Sequence, residues 1–186
     1  SSQSRGLGDV YKRQVIDLQD RTIIGNPNPD FVYGINLELS YKNLSLRVLA
    51  NGVYGNDIAN GNLLQLATPE GISWSNITTA AYNNAWRPER TSNSYPRIGY
   101  TTNGQIAMPD WIIEDGSFLR ISNINLSYQF DRINIYLSAQ NLFTFTGYSG
   151  YNPEVTSFLY DGLRNGVDWN GQPSARKFTI GLNFNL

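Results

Sequence analysis

Histidine and cysteine are absent from this 186-residue chain, and methionine occurs once. Their absence removes zinc sites of the usual kind, Ser-His-Asp and Cys-His catalysis, iron–sulfur clusters and disulfide scaffolds. Charge is also scarce. Only 16% of residues are Asp, Glu, Lys or Arg, and 14 basic residues against 15 acidic ones leave a net charge of −1. That balance gives no footprint for nucleic acid. Long apolar runs are missing too: none approaches the ~18 residues a membrane helix needs, so a helical membrane protein is excluded. A β-barrel is not, because its signal is weak in each strand.

Aromatic and amide side chains take the place of charge. Aromatics make up 13% of the chain, with 12 Tyr, and Asn is the commonest polar residue at 22. A polar surface of Asn, Ser, Thr and Tyr rather than Lys and Glu is unusual for a soluble cytosolic domain. Residues 1–14 read SSQSRGLGDVYKRQ and contain no Met. They resemble translated adaptor sequence and are set aside as a non-native leader, so that 15–186 is expected to be the C-terminal part of something longer.

Alternation of period two dominates the chain from residue 31. Phe31, Tyr33, Ile35, Leu37, Leu39 and Tyr41 are apolar, with Gly34, Asn36, Glu38, Ser40 and Lys42 between them. Lys42-Asn43 makes a tight turn, and Leu44, Leu46, Val48 and Ala50 carry the stripe back. A second hairpin runs through Ile124, Leu126, Tyr128 and Phe130, turns at Asp131-Arg132, and returns through Ile133, Ile135, Leu137 and Ala139. A last strand places Phe178, Ile180, Leu182, Phe184 and Leu186 on one face. The spacing predicts strands near 31–42, 44–55, 117–130, 133–143 and 177–186. Two connections are tight turns. The others, 56–116 and 144–175, run far past the ~15 residues beyond which loops are uncommon in compact domains, and a short helix is expected around Asn76–Trp86.

A soluble β-sandwich and a membrane barrel both alternate in this way. Three observations favour the barrel. Eleven-residue strands span roughly 36 Å, or about 25 Å when tilted by ~45°, the height of an outer-membrane apolar band; sandwich strands are nearer ~5–6 residues. Rings at Phe31, Tyr41, Tyr54, Phe118, Tyr128, Phe130 and Phe143 fall near strand ends, as in an interfacial girdle. Short turns and long loops alternate, as periplasmic turns and extracellular loops do. The fold class is therefore all-β: C-terminal antiparallel strands of a large transmembrane β-barrel with long extracellular loops, a fragment whose barrel is not closed. Five strands cannot close around a lumen, and the remaining strands are expected upstream.

The residues also resemble a known family. Asp20-Arg21-Thr22-Ile23-Ile24-Gly25-Asn26-Pro27-Asn28-Pro29-Asp30-Phe31 with Tyr33-Gly34 comes first, then Gly55-Asn56-Asp57-Ile58 and Tyr95-Pro96-Arg97. Glu114-Asp115-Gly116-Ser117-Phe118-Leu119-Arg120, Asn141-Leu142-Phe143-Thr144-Phe145-Thr146 and Tyr148-Ser149-Gly150-Tyr151-Asn152-Pro153-Glu154 come next, with Gly181-Leu182-Asn183-Phe184 at the end. In order and spacing these stretches resemble the C-terminal end of a SusC/RagA-type TonB-linked outer-membrane transporter. The resemblance implies a plugged barrel of about 22 strands. It implies outer-membrane location in a Gram-negative bacterium, import of glycans or peptides powered by the TonB complex, and a SusD-like surface lipoprotein as partner. The alternating last strand (Phe178, Ile180, Leu182, Phe184, Leu186) resembles the signal read by the barrel-assembly machinery, although the usual last residue is Phe.

No enzyme and no cofactor are expected. Asp110, Glu114 and Asp115 are a poor acid–base set, since neighbours on a strand point to opposite faces, and read better as a solvated turn. Asp17 and Asp20 are too few to insist on calcium. Asn43-Leu44-Ser45, Asn76-Ile77-Thr78 and Asn125-Leu126-Ser127 match the glycosylation pattern by chance, given 22 Asn. Arg87, Arg90 and Arg97 read as ion-pair donors that fold the loop. Trp74, Trp86, Trp111 and Trp169 all fall in the long loops; they are candidates for contact with substrate or with the lipoprotein, against simple packing of loop on loop. Two alternatives stay open: a secreted β-sandwich acting as a carbohydrate-binding or adhesin module, and a TonB-linked receptor for a metal chelate.

Overall fold

The computed structural model describes residues 21–67, 76–91, 95, 97, 108–155 and 165–184. Two long hairpins and one further strand form a single antiparallel sheet. They are β1 (Phe31–Tyr41), β2 (Leu44–Tyr54), β5 (Phe118–Phe130), β6 (Ile133–Thr146) and β8 (Lys177–Phe184), in the spatial order β1-β2-β5-β6-β8. β6 runs on beyond residue 143, where periodicity alone ends it. The first residue of each two-residue turn takes positive φ, Lys42 at 53° and Asp131 at 47°, which matches the turn to the twist of the strands it joins.

Register turns the five alternating patterns into continuous rows. Leu39, Leu46, Leu126, Leu137 and Ile180 lie opposite one another in turn across all five strands. The adjacent apolar row is Leu37, Val48, Ile124, Ala139 and Phe178. Between them runs Glu38, Arg47, Asn125, Ser138 and Thr179. Glu38 accepts a 2.9 Å hydrogen bond from Arg47 in that polar row. Most of the larger side chains in these apolar rows are exposed, up to 76% at Ile180, and nothing among the described residues covers them. A sandwich would lay a second sheet there. Rings flank the aliphatic rows on both sides. Phe31 stacks on Tyr54 at 5.1 Å near one end, while Tyr41, Tyr128, Phe130 and Phe184 gather at the end with the tight turns.

One bulge crosses the sheet. Pairing skips Ser122 on β5 and Asn141-Leu142 on β6, where Asn141 has φ 52°. The skipped residue reverses the parity of the rest of β5, since one residue of slip exchanges the two faces. Leu119 and Ile121 therefore continue the apolar face, and Phe118 and Arg120 turn to the polar one. This corrects the girdle assignment of Phe118, which is buried.

The end of the sheet away from the tight turns carries a compact cap. A small sheet is built from β3 (Asp57–Asn60), β4 (Ile113–Asp115) and β7 (Val167–Asp168), in the order β4-β3-β7. Helices α1 (Gly61–Ala67) and α2 (Thr79–Asn84) and a 3₁₀ turn (Asp110–Ile112) pack with it. Asn60 caps α1, accepting from Leu63 N at 3.0 Å, and Thr78 caps α2, accepting from Ala81 N at 3.1 Å. These are the donors a helix start leaves unpaired. Among the described residues the buried apolar side chains lie in this cap or where it meets the sheet, apart from Ala50. Ile58, Ile112, Ala81 and Ala85 form its core. The molecule thus has a core in the cap and a wall whose apolar face is open.

An arginine at the centre of an apolar row should be far costlier than one in a polar row. In the full-length receptor, Leu126→Arg should destabilise the fold by about 2–4 kcal/mol, the cost at a bilayer midplane, and Ser127→Arg by much less. The fraction of receptor recovered from outer membranes as a heat-modifiable folded band measures the difference. Equal recovery of both variants would contradict the assignment of faces.

Candidate functional site

Among the described residues, four of the stretches that carry the family resemblance, around 25–31, 55–58, 114–120 and 148–154, meet at the junction of wall and cap, while 181–184 lies at the end with the tight turns. Segment 25–30 lies along the start of β3: Asp57 Oδ2 accepts from Asn26 N at 2.7 Å, and Asp57 N donates to Asn26 O at 2.8 Å. Asn26 Oδ1 also accepts from Asn28 N at 3.1 Å, which sets the turn. Gly55 N donates to Ser117 Oγ at 3.0 Å, and Gly116 N to Asn56 O at 2.8 Å. Ser117 N donates in turn to Asp115 Oδ1 at 2.8 Å, and the hydrogen bonds from Ser117 hold the Asp115 carboxyl below its ordinary range.

Two polar clusters close the junction. Arg120 is 4% exposed. It is ion-paired and hydrogen-bonded to Glu154, donates to Asn152 Oδ1 at 2.6 Å, and donates through Nε to Thr144 Oγ1 at 3.0 Å. A buried guanidinium needs such a set of acceptors. Glu154 also accepts from Asn51 Nδ2 at 3.3 Å, so loop 147–154 is tied to both β2 and β5. In the second cluster Glu114 accepts from Ser149 N and Ser149 Oγ, both at 2.7 Å, and from Asn60 Nδ2 at 2.9 Å. Glu114 therefore anchors a loop and is not the solvated turn residue that the sequence suggests. Buried Asp168 accepts from Tyr148 OH at 2.6 Å and from Gly171 N at 3.0 Å. Burial, and then the bond to Asp168, push the Tyr148 phenol well above its ordinary range.

The three described tryptophans do not form one patch, but the elements that carry them pack around one helix. Trp111 lies in the 3₁₀ turn and Trp169 just after β7, two elements that pack on α1. The Trp169 ring fills the space a side chain on Gly61 would take, and is 44% exposed. Trp86 follows α2, the third neighbour of α1, and its backbone N–H donates to Tyr95 O at 3.2 Å. The Tyr95 ring lies 5.9 Å from Trp111. Trp74, Asp17, Asp20 and Leu186 lie outside the described residues, as do residues 1–14. Phe178, Ile180, Leu182 and Phe184 are exposed along β8. Arg87 folds its loop without an ion pair among the described residues: it donates to Tyr82 O at 3.3 Å and covers the Tyr82 ring at 4.7 Å. No group of three or more potential metal ligands occurs among the described residues.

No family model matches the chain. It is 33% identical over 191 residues to TonB-dependent receptor P3 of Formosa agariphila, covering 95% of this chain and 18% of that protein. It is 31% identical over 182 residues to TonB-dependent receptor SusC of Bacteroides thetaiotaomicron, covering 90% of the chain and 16% of SusC. Its fold superposes on part of the barrel in the open-open state of the RagAB peptide importer, with a TM-score of 0.70, 24% identity, 86% of this chain and 17% of that one. The chain belongs to the SusC/RagA-type TonB-dependent receptors. It spans under a fifth of the length of the curated relatives it matches. Receptors of this family are transporters rather than enzymes, and they reside in the outer membrane of Gram-negative bacteria.

Within this SusC/RagA-type chain, Arg120 is the junction residue that alternation alone does not single out. Its signal is nonetheless present: it stands at an apolar position of the β5 pattern, where a cation demands a bulge or a buried partner.

The Tyr148–Asp168 pair yields a pH prediction. A phenol whose folded pKa exceeds its unfolded value contributes stability that is complete below about pH 10 and is lost as pH rises further. The cap should loosen above about pH 10, and Tyr148→Phe should be less stable at neutral pH yet show a shallower alkaline decline. Hydrogen exchange of residues 57–67 in the full-length receptor between about pH 8 and pH 11 reads this out. An unchanged alkaline slope in Tyr148→Phe would contradict it.

Proposed function

We propose that this chain supplies barrel wall and extracellular cap to an outer-membrane importer that takes up oligomeric nutrients, glycans or peptides, with energy from the TonB complex. The observation that carries the reading is the division of the molecule. One sheet face is apolar, ringed by aromatics and open, as lipid contact requires. The other is lined by Asn, Ser, Thr, Glu38 and Arg47, as a watery lumen requires. Among the described residues the cap sits at the end opposite the tight turns, which is the extracellular end in barrels of this kind.

A SusD-like lipoprotein is the expected partner at the cap, and the similar RagAB complex is a peptide importer. Trp86 and Trp169 are 37% and 44% exposed, while Trp111 is half-buried beside Tyr95. They supply flat apolar surface to a sugar, a peptide side chain or the lipoprotein, and Trp74, outside the described residues, is assigned the same role. The exposed apolar side of β8, through Phe178, Ile180, Leu182 and Phe184, serves together with Leu186 of the sequence as the signal read by the barrel-assembly machinery.

In the full-length receptor, replacing Trp74, Trp86, Trp111 and Trp169 together by Ala should lower nutrient uptake or co-purification of the lipoprotein while folded barrel levels stay normal. Growth on oligomeric nutrient and affinity pull-down are the measurements. Unchanged uptake and unchanged pull-down at normal barrel levels would remove the tryptophans from the reading.

A further inference from the structure

Charge is unevenly placed on the polar side of the wall. Where β6 and β8 approach the cap, a cleft of about 230 Å³ is lined by Arg120, Thr144, Tyr151, Ser174 and Arg176 among others, and by no carboxylate. The charge of Arg120 is matched by Glu154. Arg176 is exposed and has no acidic partner among the described residues. Lys177, the next residue, enters the polar row opposite Gln140 and also has no acidic partner among the described residues. The cleft therefore carries cationic charge that nothing described around it neutralises.

Its hydroxyls reinforce that polarity. Thr144 Oγ1 accepts from Arg120 Nε, and Ser174 Oγ accepts from Asn152 Nδ2 at 3.1 Å. Each hydroxyl keeps its own proton to donate. The Tyr151 ring, 74% exposed, stands at the rim as a flat apolar surface. A guanidinium with hydroxyl donors beside it fits the paired oxygens of a carboxylate or sulfate. The volume is below the ~300–1,000 Å³ of a drug-sized pocket, so it suits one unit of an oligomer rather than the whole.

We propose that this cleft is an anion subsite of the importer, in which Arg176 holds the carboxylate or sulfate of one unit of an acidic oligomer while Tyr151 packs against that unit. The proposal rests on the import reading and narrows its substrate class. The test uses the full-length receptor, purified with its lipoprotein, and three matched probe pairs. These are an oligogalacturonate and its carboxyl-reduced form, a sulfated oligosaccharide and its desulfated form, and an oligopeptide and its C-terminal amide. Calorimetry gives the affinity ratio within each pair, and the pair that discriminates identifies the source of the anion.

The expected result is a preference of about tenfold or more for the anionic member of at least one pair, the worth of one charge-assisted hydrogen bond. That ratio should fall close to one in Arg176→Gln and be partly kept in Arg176→Lys. Binding of neutral and anionic members alike would overturn the subsite and leave the import reading standing. A preference that survives Arg176→Gln would also overturn it. Binding of no probe would reject glycan and peptide import, and the subsite with it.

Discussion

Register is the constraint on which the structure depends. Across most of the wall apolar residues lie opposite apolar ones and polar opposite polar, Leu49 between Asn36 and Asn123 being an exception, so a slip of one residue would expose Glu38, Arg47 or a row of amides on the apolar face. In lipid, unpaired backbone groups would add several kcal/mol each. The two-residue turns, with Lys42 and Asp131 at positive φ, fix the register where it begins. The stacked rings and the Glu38–Arg47 pair then agree with it from opposite faces.

The bulge at Ser122 is the one place in the described wall where that constraint is broken, and the cap depends on the break. Without it Arg120 would face outward with the apolar row of β5. With it the guanidinium turns inward and gathers Glu154, Asn152 and Thr144. A loop that would otherwise connect β6 to β8 freely is thereby held against the wall. Glu114 and Asp168 hold the same loop from the cap side, through Ser149 and Tyr148. Wall and cap are joined by side-chain chemistry more than by shared strands, since the two sheets have no strand in common.

Legibility in the sequence tracks the length of the pattern. Strands of eight to fourteen residues with strict alternation announce themselves, as do the turns between them. The cap strands β3, β4 and β7 have two to four residues each and pair only with partners tens of residues away. No local periodicity exists at that length. Helix α2 falls within the helix expected around 76–86, whereas α1 has no such signal. Phe118 reads as a girdle ring only when alternation is carried straight through Ser122, and a bulge of that kind has no residue signature. The junction is legible as a set of family stretches. Its physical meaning is not, because nothing in the chain near Arg120 points to Glu154 or near Glu114 to Ser149.

Tyr33 faces Gly52 and Tyr136 faces Gly181 across neighbouring strands, and in each pair the phenol ring occupies the room where a side chain on the glycine would start. A larger residue at 181 must evict the ring, and a smaller residue at 136 bares the backbone of the edge strand. Neither position is free to drift alone. Each tyrosine and its glycine form one steric unit split between two strands, and a substitution in one half calls for a compensating change in the other.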